Sequence, residues 1–219
     1  DMSKWIDKVS AVLYAWYDGQ ALGTAVAQIL SGAVNPSGRL PFTAWGSEEK
    51  NPTYYYYQPT MTNLKNATAK GHVARFNRYQ YIEYREGVFV GYRGADHFGV
   101  KPLYPFGYGL SYTTFDYKNL VVSPAGDGFD VTFTVTNTGK VEGATVPQIY
   151  VAPKNSKVIR PTRELKGYEK VRLAKGESKT VTIHLDRRAF ASYCTKVHDW
   201  KVSEGLYGIQ LCSDAETVI

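Results

Sequence analysis

The chain has 219 residues, 43% hydrophobic, 14% aromatic and 21% charged, enough apolar matter for packed cores beneath an ordinary soluble surface. No apolar run approaches the roughly 18 residues that cross a bilayer, and the start, Asp1-Met2-Ser3-Lys4-Trp5, lacks the basic and apolar regions of a secretory leader. The net charge is +6, but Lys and Arg are scattered without a block of five like charges, so the basicity reads as a solvated surface and not as a nucleic-acid interface.

Val9 to Trp16 is a short apolar run rich in β-branched and aromatic residues, bounded by Asp18-Gly19, which predicts a buried strand. Leu22, Ala25, Val26, Ile29 and Leu30 then fall on one face of an amphipathic helix, with Gly32 placed for a left-handed C′ residue and Pro36 beyond it. Strand, loop and helix make one βα unit, which cannot cover both faces of a sheet by itself. Residues 1–118 therefore read as a portion of an α/β domain whose remaining strands lie elsewhere. Residues 45–118 show almost no helical periodicity. Tyr54, Tyr55, Tyr56 and Tyr57 precede Pro59 in an extended segment, and Asn63 to Lys70 is polar and turn-like. So long an irregular stretch is usually functional or wraps a larger body.

From Asn119 the pattern changes. Val131, Phe133 and Val135 alternate with threonines, and Val181, Ile183 and Leu185 alternate with Thr182 and His184, as in half-buried antiparallel strands. Turn signals separate the runs at Ala125-Gly126-Asp127-Gly128, Asn137-Thr138-Gly139-Lys140, Lys175-Gly176-Glu177 and Ser203-Glu204-Gly205. The spacing predicts an immunoglobulin-like or fibronectin type III-like β-sandwich over 119–219. The fold class is thus α/β and then all-β.

Few residues suggest chemistry of their own. Gly19 and Gly23 lack the spacing and the Lys-Ser/Thr of a phosphate loop. Glu48-Glu49 and Glu83/Glu86 are carboxylate pairs in sequence only and read as solvated surface. His72, His97, His184 and His198 lack metal-ligand spacing. Cys194 and Cys212 form no CxxC, and either a disulfide or two buried thiols fits them. Asn66-Ala67-Thr68 is a glycosylation sequon, meaningful in a secreted eukaryotic protein. The tyrosine run suits stacking on sugar rings or packing on another part of a larger protein.

Four blocks, in order, resemble one family. They are Asp18 to Ala27 running on to Asn35-Pro36-Ser37-Gly38-Arg39-Leu40-Pro41-Phe42-Thr43; Glu86-Gly87-Val88-Phe89-Val90-Gly91-Tyr92-Arg93, read as a strand; Pro105-Phe106-Gly107-Tyr108-Gly109-Leu110-Ser111-Tyr112-Thr113-Thr114-Phe115; and a sandwich block that includes Arg163-Glu164-Leu165-Lys166-Gly167-Tyr168. In register they are similar to the C-terminal part of family 3 glycoside hydrolases, the end of the α/β-sandwich domain plus a fibronectin type III-like domain.

The resemblance implies a retaining, exo-acting β-glucosidase that releases terminal non-reducing β-D-glucosyl residues without a cofactor. Relatives with β-xylosidase or exo-β-glucanase activity are alternatives, and a non-catalytic carbohydrate-binding module is a rival of another class. Retention needs two carboxyls about 5–5.5 Å apart. In the family the nucleophile Asp lies on an N-terminal barrel and the acid/base Glu upstream of the segment that opens this chain. Neither carries over here: Ser213-Asp214 is followed by Ala215 and falls in the last strand of the sandwich. The implied partners are the barrel-containing part of the same enzyme and a β-glucoside, a homodimer is compatible, and a secreted or periplasmic location fits best. Tyr54–Tyr57 are the substrate-rim candidates, and the role of 54–83, which includes Arg75 and Arg78, is open.

Overall fold

The structure, a computed structural model, describes residues 1–54 and 84–219. The predicted strand over Val9–Trp16 forms no ladder among them: the segment is irregular, and Val12, Leu13, Tyr14 and Trp16 are 41–52% exposed. An extended segment pairs only where another strand lies beside it, and among the described residues none does. Its Tyr14 and Trp16 rings each pack 5.5 Å from Phe42. A 3₁₀ turn at Gly19–Ala21 leads into helix α1, Leu22–Leu30. Ala25, Val26 and Ile29 are half-buried, while Leu22 and Leu30 remain exposed. The helix ends as its sequence predicts, with Gly32 at φ +77° and its N–H donating to the Ile29 carbonyl.

Residues 39–44 then run beside 104–108, with Leu40 N–H bonded to Tyr108 O, Gly107 N–H to Leu40 O and Ala44 N–H to Tyr104 O. The block read as a strand around Glu86 to Arg93 differs from expectation. Residues 85–88 form turns, and a short helix α2 spans Tyr92–Phe98, entered through Gly91 at φ 59° and closed by Gly99 at φ 63°. Seven residues with Gly94 inside give too little periodicity for a helix to be legible in sequence.

The sandwich follows. Strands β1 (Phe115–Ala125), β2 (Gly128–Asn137) and β7 (Ser178–Leu185) form one antiparallel sheet in the order β1-β2-β7. Strands β4 (Gln148–Pro153), β5 (Glu164–Tyr168) and β10 (Tyr207–Cys212) form the other, in the order β10-β4-β5. Strand β3 (Gly143–Thr145) pairs with β6 (Val171–Leu173), and β8 (Ala191–Cys194) with β9 (Asp199–Val202). Inward residues of β2 and β7 meet those of β4, β6 and β10 in one core: Val131, Phe133 and Val135 are fully buried, as are Ile149, Val151, Val171 and Leu173. Burial alternates along β7, with Val181, Ile183 and Leu185 in and Thr180, Thr182 and His184 out, as period two demands. The step from 118 to 119 falls inside β1, where Asn119 adopts φ 59° and the register with β2 shifts.

Candidate functional site

The polar groups of this chain converge where residues 35–43, 92–98 and 105–114 meet the sandwich. Asn35, from the Asn-Pro-Ser-Gly turn, accepts from Tyr112 N–H at 2.8 Å and from Ser111 Oγ at 3.0 Å, and donates to the Glu142 carbonyl at 2.9 Å. Thr113 Oγ1 donates to Asn137 Oδ1 at 2.6 Å, and the fully buried Asn137 amide donates to Val141 and Leu173 carbonyls. A polar residue at the buried end of a strand is costly unless its groups are bonded, and this one ties β2, β6 and the incoming chain together.

Arg39 donates to Thr145 Oγ1 at 3.3 Å, and Thr145 also bonds the Tyr117 hydroxyl at 2.6 Å. Burial lowers the Arg39 pKa, with Tyr117 and Asp214 opposing, and burial raises the Tyr117 phenol. Gln148, at the start of β4, donates to the Ser213 carbonyl at 2.9 Å and the Gly107 carbonyl at 3.4 Å, and accepts from Tyr150 OH at 2.8 Å. Gly107 has φ +82°, and a Cβ there would collide with the Gln148 amide.

On the other flank, Tyr92 of α2 packs edge-on to Tyr150 at 5.6 Å, and its hydroxyl oxygen accepts from Leu165 N–H at 2.9 Å. The β4–β5 register shifts between Ile149 and Tyr150, so Lys166 is an extra residue of β5. Arg163 grips Asp96 with two bonds of 2.8 and 3.0 Å, and Glu164 lies among Arg93, Arg160 and Lys166. The segments of all four sequence blocks therefore meet at one junction. Asp96 carries no sequence signal, and Gln148 is not singled out by the sequence either; its one signal is that it is a polar residue directly before the apolar run Ile149-Tyr150-Val151.

Among the described residues the carboxylates read in sequence do not gather. Glu48 and Glu49 sit exposed in a 3₁₀ turn, Glu48–Lys50. Glu86 is 7% exposed. Asp214 accepts from Glu216 and Thr217 N–H groups at 2.9 Å, so it holds its own turn. His97 stacks on Phe89 at 3.6 Å and His184 bonds Asp130 at 2.8 Å. Among the described residues no three His, Cys, Asp or Glu gather as metal ligands. Cys194 and Cys212 are both free thiols, and burial raises Cys212 to about 11. Tyr54 is half-buried. Tyr55, Tyr56, Tyr57, His72, Glu83, Arg75, Arg78 and the sequon lie outside the described residues. At the other end of β2 a cavity of about 530 Å³ is lined by Phe129, Phe190, Tyr207 and Ile209, with Asp127 and Glu204. The junction can fix backbone positions through its hydrogen bonds; among the described residues it supplies no paired acid and nucleophile.

The unit is an α/β portion joined by buried polar groups to a β-sandwich. Residues 1–92 match the glycosyl hydrolase family 3 C-terminal domain and residues 145–215 the fibronectin type III-like domain. The chain belongs to glycoside hydrolase family 3. It is 43% identical to thermostable β-glucosidase B of Acetivibrio thermocellus over 98% of its own length and 27% of that protein. It is 41% identical to an exo-α-(1→6)-L-arabinopyranosidase of Bifidobacterium breve over 99% of its length and 26% of that protein. The crystal structure of the Bifidobacterium adolescentis family 3 β-glucosidase superposes with a TM-score of 0.85 at 36% identity, over the whole of this chain and 30% of that one. The chain thus spans about a quarter of the length of the curated relatives it matches.

Proposed function

We propose that this chain is the C-terminal part of a retaining exo-β-glucosidase that removes terminal non-reducing β-D-glucosyl residues. The reading is supported by the similarity to β-glucosidases, which covers 98% of this chain in one relative and all of it in one solved structure. In it, the nucleophile Asp and acid/base Glu belong to the barrel-containing remainder of the enzyme, and residues 1–118 and 119–219 act as its scaffold. The apolar residues of Val9–Trp16, exposed here, would pack against the rest of the α/β sheet. A shift of about 1 Å in a catalytic loop held by that sheet can cost on the order of 10²-fold in rate. Tyr54–Tyr57 would form a rim facing the aglycone.

A second reading is favoured by the 41% identity to the arabinopyranosidase, close to that for the β-glucosidase. The experiment is a substrate panel on the longer enzyme with nitrophenyl β-D-glucopyranoside, β-D-xylopyranoside and α-L-arabinopyranoside. The first reading predicts the highest kcat/KM for the glucoside with net retention at the anomeric centre. A preference for the arabinoside selects the second, and inversion would reject the mechanism.

A further inference from the structure

The GYR arginine and the RELKG glutamate and lysine, which are family blocks with no role in the catalytic reading, meet in one cluster. Arg93 comes from α2, Arg160 from the loop between β4 and β5, and Lys166 from the extra position of β5. All three point to one carboxylate. Arg160 donates to Glu164 Oε2 at 3.0 Å, whereas Arg93 and Lys166 share Oε1 at 3.8 and 3.5 Å. The last two distances exceed the 2.7–2.9 Å of about full-strength charge-assisted bonds, so both cations keep donors to spare. The other nearby acid, Asp96, is fully engaged by the fork of Arg163.

Among the described residues positive charge is therefore in excess where solvent screening is weak. The Arg160 side chain is 3% exposed and that of Lys166 16%, and the buried Nε atoms of Arg93 and Arg160 have no hydrogen-bond partner among the described residues. Burial lowers the Lys166 pKa; Glu164 opposes this, while Arg160 and Arg93 add to it. Uncompensated buried charge is unfavourable and calls for a counter-ion. Arg93 is 36% exposed and leaves that side open to solvent. Arg93 and Lys166 each lie within 3.8 Å of the same oxygen, which bounds their separation at twice that distance. An anion with two oxygens and bonds of about 2.8 Å bridges such a span.

We propose that Arg93 and Lys166, backed by Arg160, form an oxyanion-binding site at the junction of α2 and β5, taking a carboxylate or phosphate group. The site is independent of the glycosidase reading. Its oxyanion comes either from solution or from an Asp or Glu side chain of the longer enzyme.

The test is thermal unfolding of the chain in inorganic phosphate against chloride at matched ionic strength. The site predicts a saturable upward shift of about 2–4 °C in phosphate, abolished in Arg93→Gln and in Lys166→Met. Equilibrium dialysis of labelled phosphate against the unmodified chain gives a readout that does not depend on variant folding, and saturable binding is expected. A response in both the chain and the longer enzyme assigns a free anion; a response in the chain alone assigns a protein carboxylate. Equal shifts in phosphate and chloride, an undiminished response in both variants, or no saturable binding by dialysis would overturn the site.

Discussion

Arg163 and Asp96 join the two halves of the chain through a planar fork, Nε to Oδ2 at 2.8 Å and Nη2 to Oδ1 at 3.0 Å. The two side chains are only 12% and 18% exposed, so neither is well solvated once its partner is gone. Asp96→Ala should destabilise the chain by about 3–5 kcal/mol, the usual cost of stranding one member of a buried pair. Arg163→Lys should lose less, because the charge survives and only the fork is lost. Urea denaturation of both variants checks the order; a cost for Asp96→Ala no larger than that for Arg163→Lys would contradict it.

Tyr92→Phe isolates a single hydrogen bond. The ring contacts with Tyr150 and Phe106 are kept, but Leu165 N–H loses its acceptor beside the β4–β5 bulge. The expected cost is about 1–3 kcal/mol with an unchanged denaturant slope. A cost below a few tenths of a kcal/mol would mean that water replaces the phenol there.

Two glycines with positive φ separate backbone strain from crowding. Gly32→Ala should cost only the left-handed backbone penalty, about 1–2 kcal/mol, because nothing lies within 4 Å of a new Cβ. Gly107→Ala adds a collision with the Gln148 amide, worth about 1–3 kcal/mol more. Comparable losses at both positions would show that the Gln148 side chain swings away freely.

Alkaline pH should weaken the fold. Burial raises Cys212 to about 11 and lifts the Tyr150 and Tyr117 phenols above their ordinary range. Their folded pKa values exceed the unfolded ones, so above pH 9 the unfolded chain binds fewer protons than the folded one. Stability is complete below that pH and falls as pH rises from about 9 to 11. Thermal midpoints across this window should decline, and Cys212→Ala should flatten the early part of the decline. A rise with pH would contradict the assignment.

Particular residues show what sequence alone could reveal. The alternation of Val131, Phe133 and Val135 was enough to place β2, because period two and burial on one face are the same statement. Helix α1 and its Gly32 terminus were equally visible. Val9–Trp16 reads in sequence as a buried strand, whereas the structure leaves it irregular and exposed, since pairing and burial depend on strands beyond its own residues. Helix α2 was too short to show a period, and the Arg163–Asp96 pair, 67 residues apart in sequence, leaves no local signal. The catalytic pair could be assigned elsewhere only through family resemblance.

The central claim is that this chain completes a glycosidase whose reacting carboxylates lie in the remainder of the enzyme. The most direct measurement is complementation with an aryl β-glucoside, assaying the 219-residue chain, the remaining piece and the two co-expressed. The account predicts no turnover from either piece alone and hydrolysis from the pair. Turnover by the 219-residue chain alone would contradict it, and full activity of the remaining piece alone would remove the scaffold role.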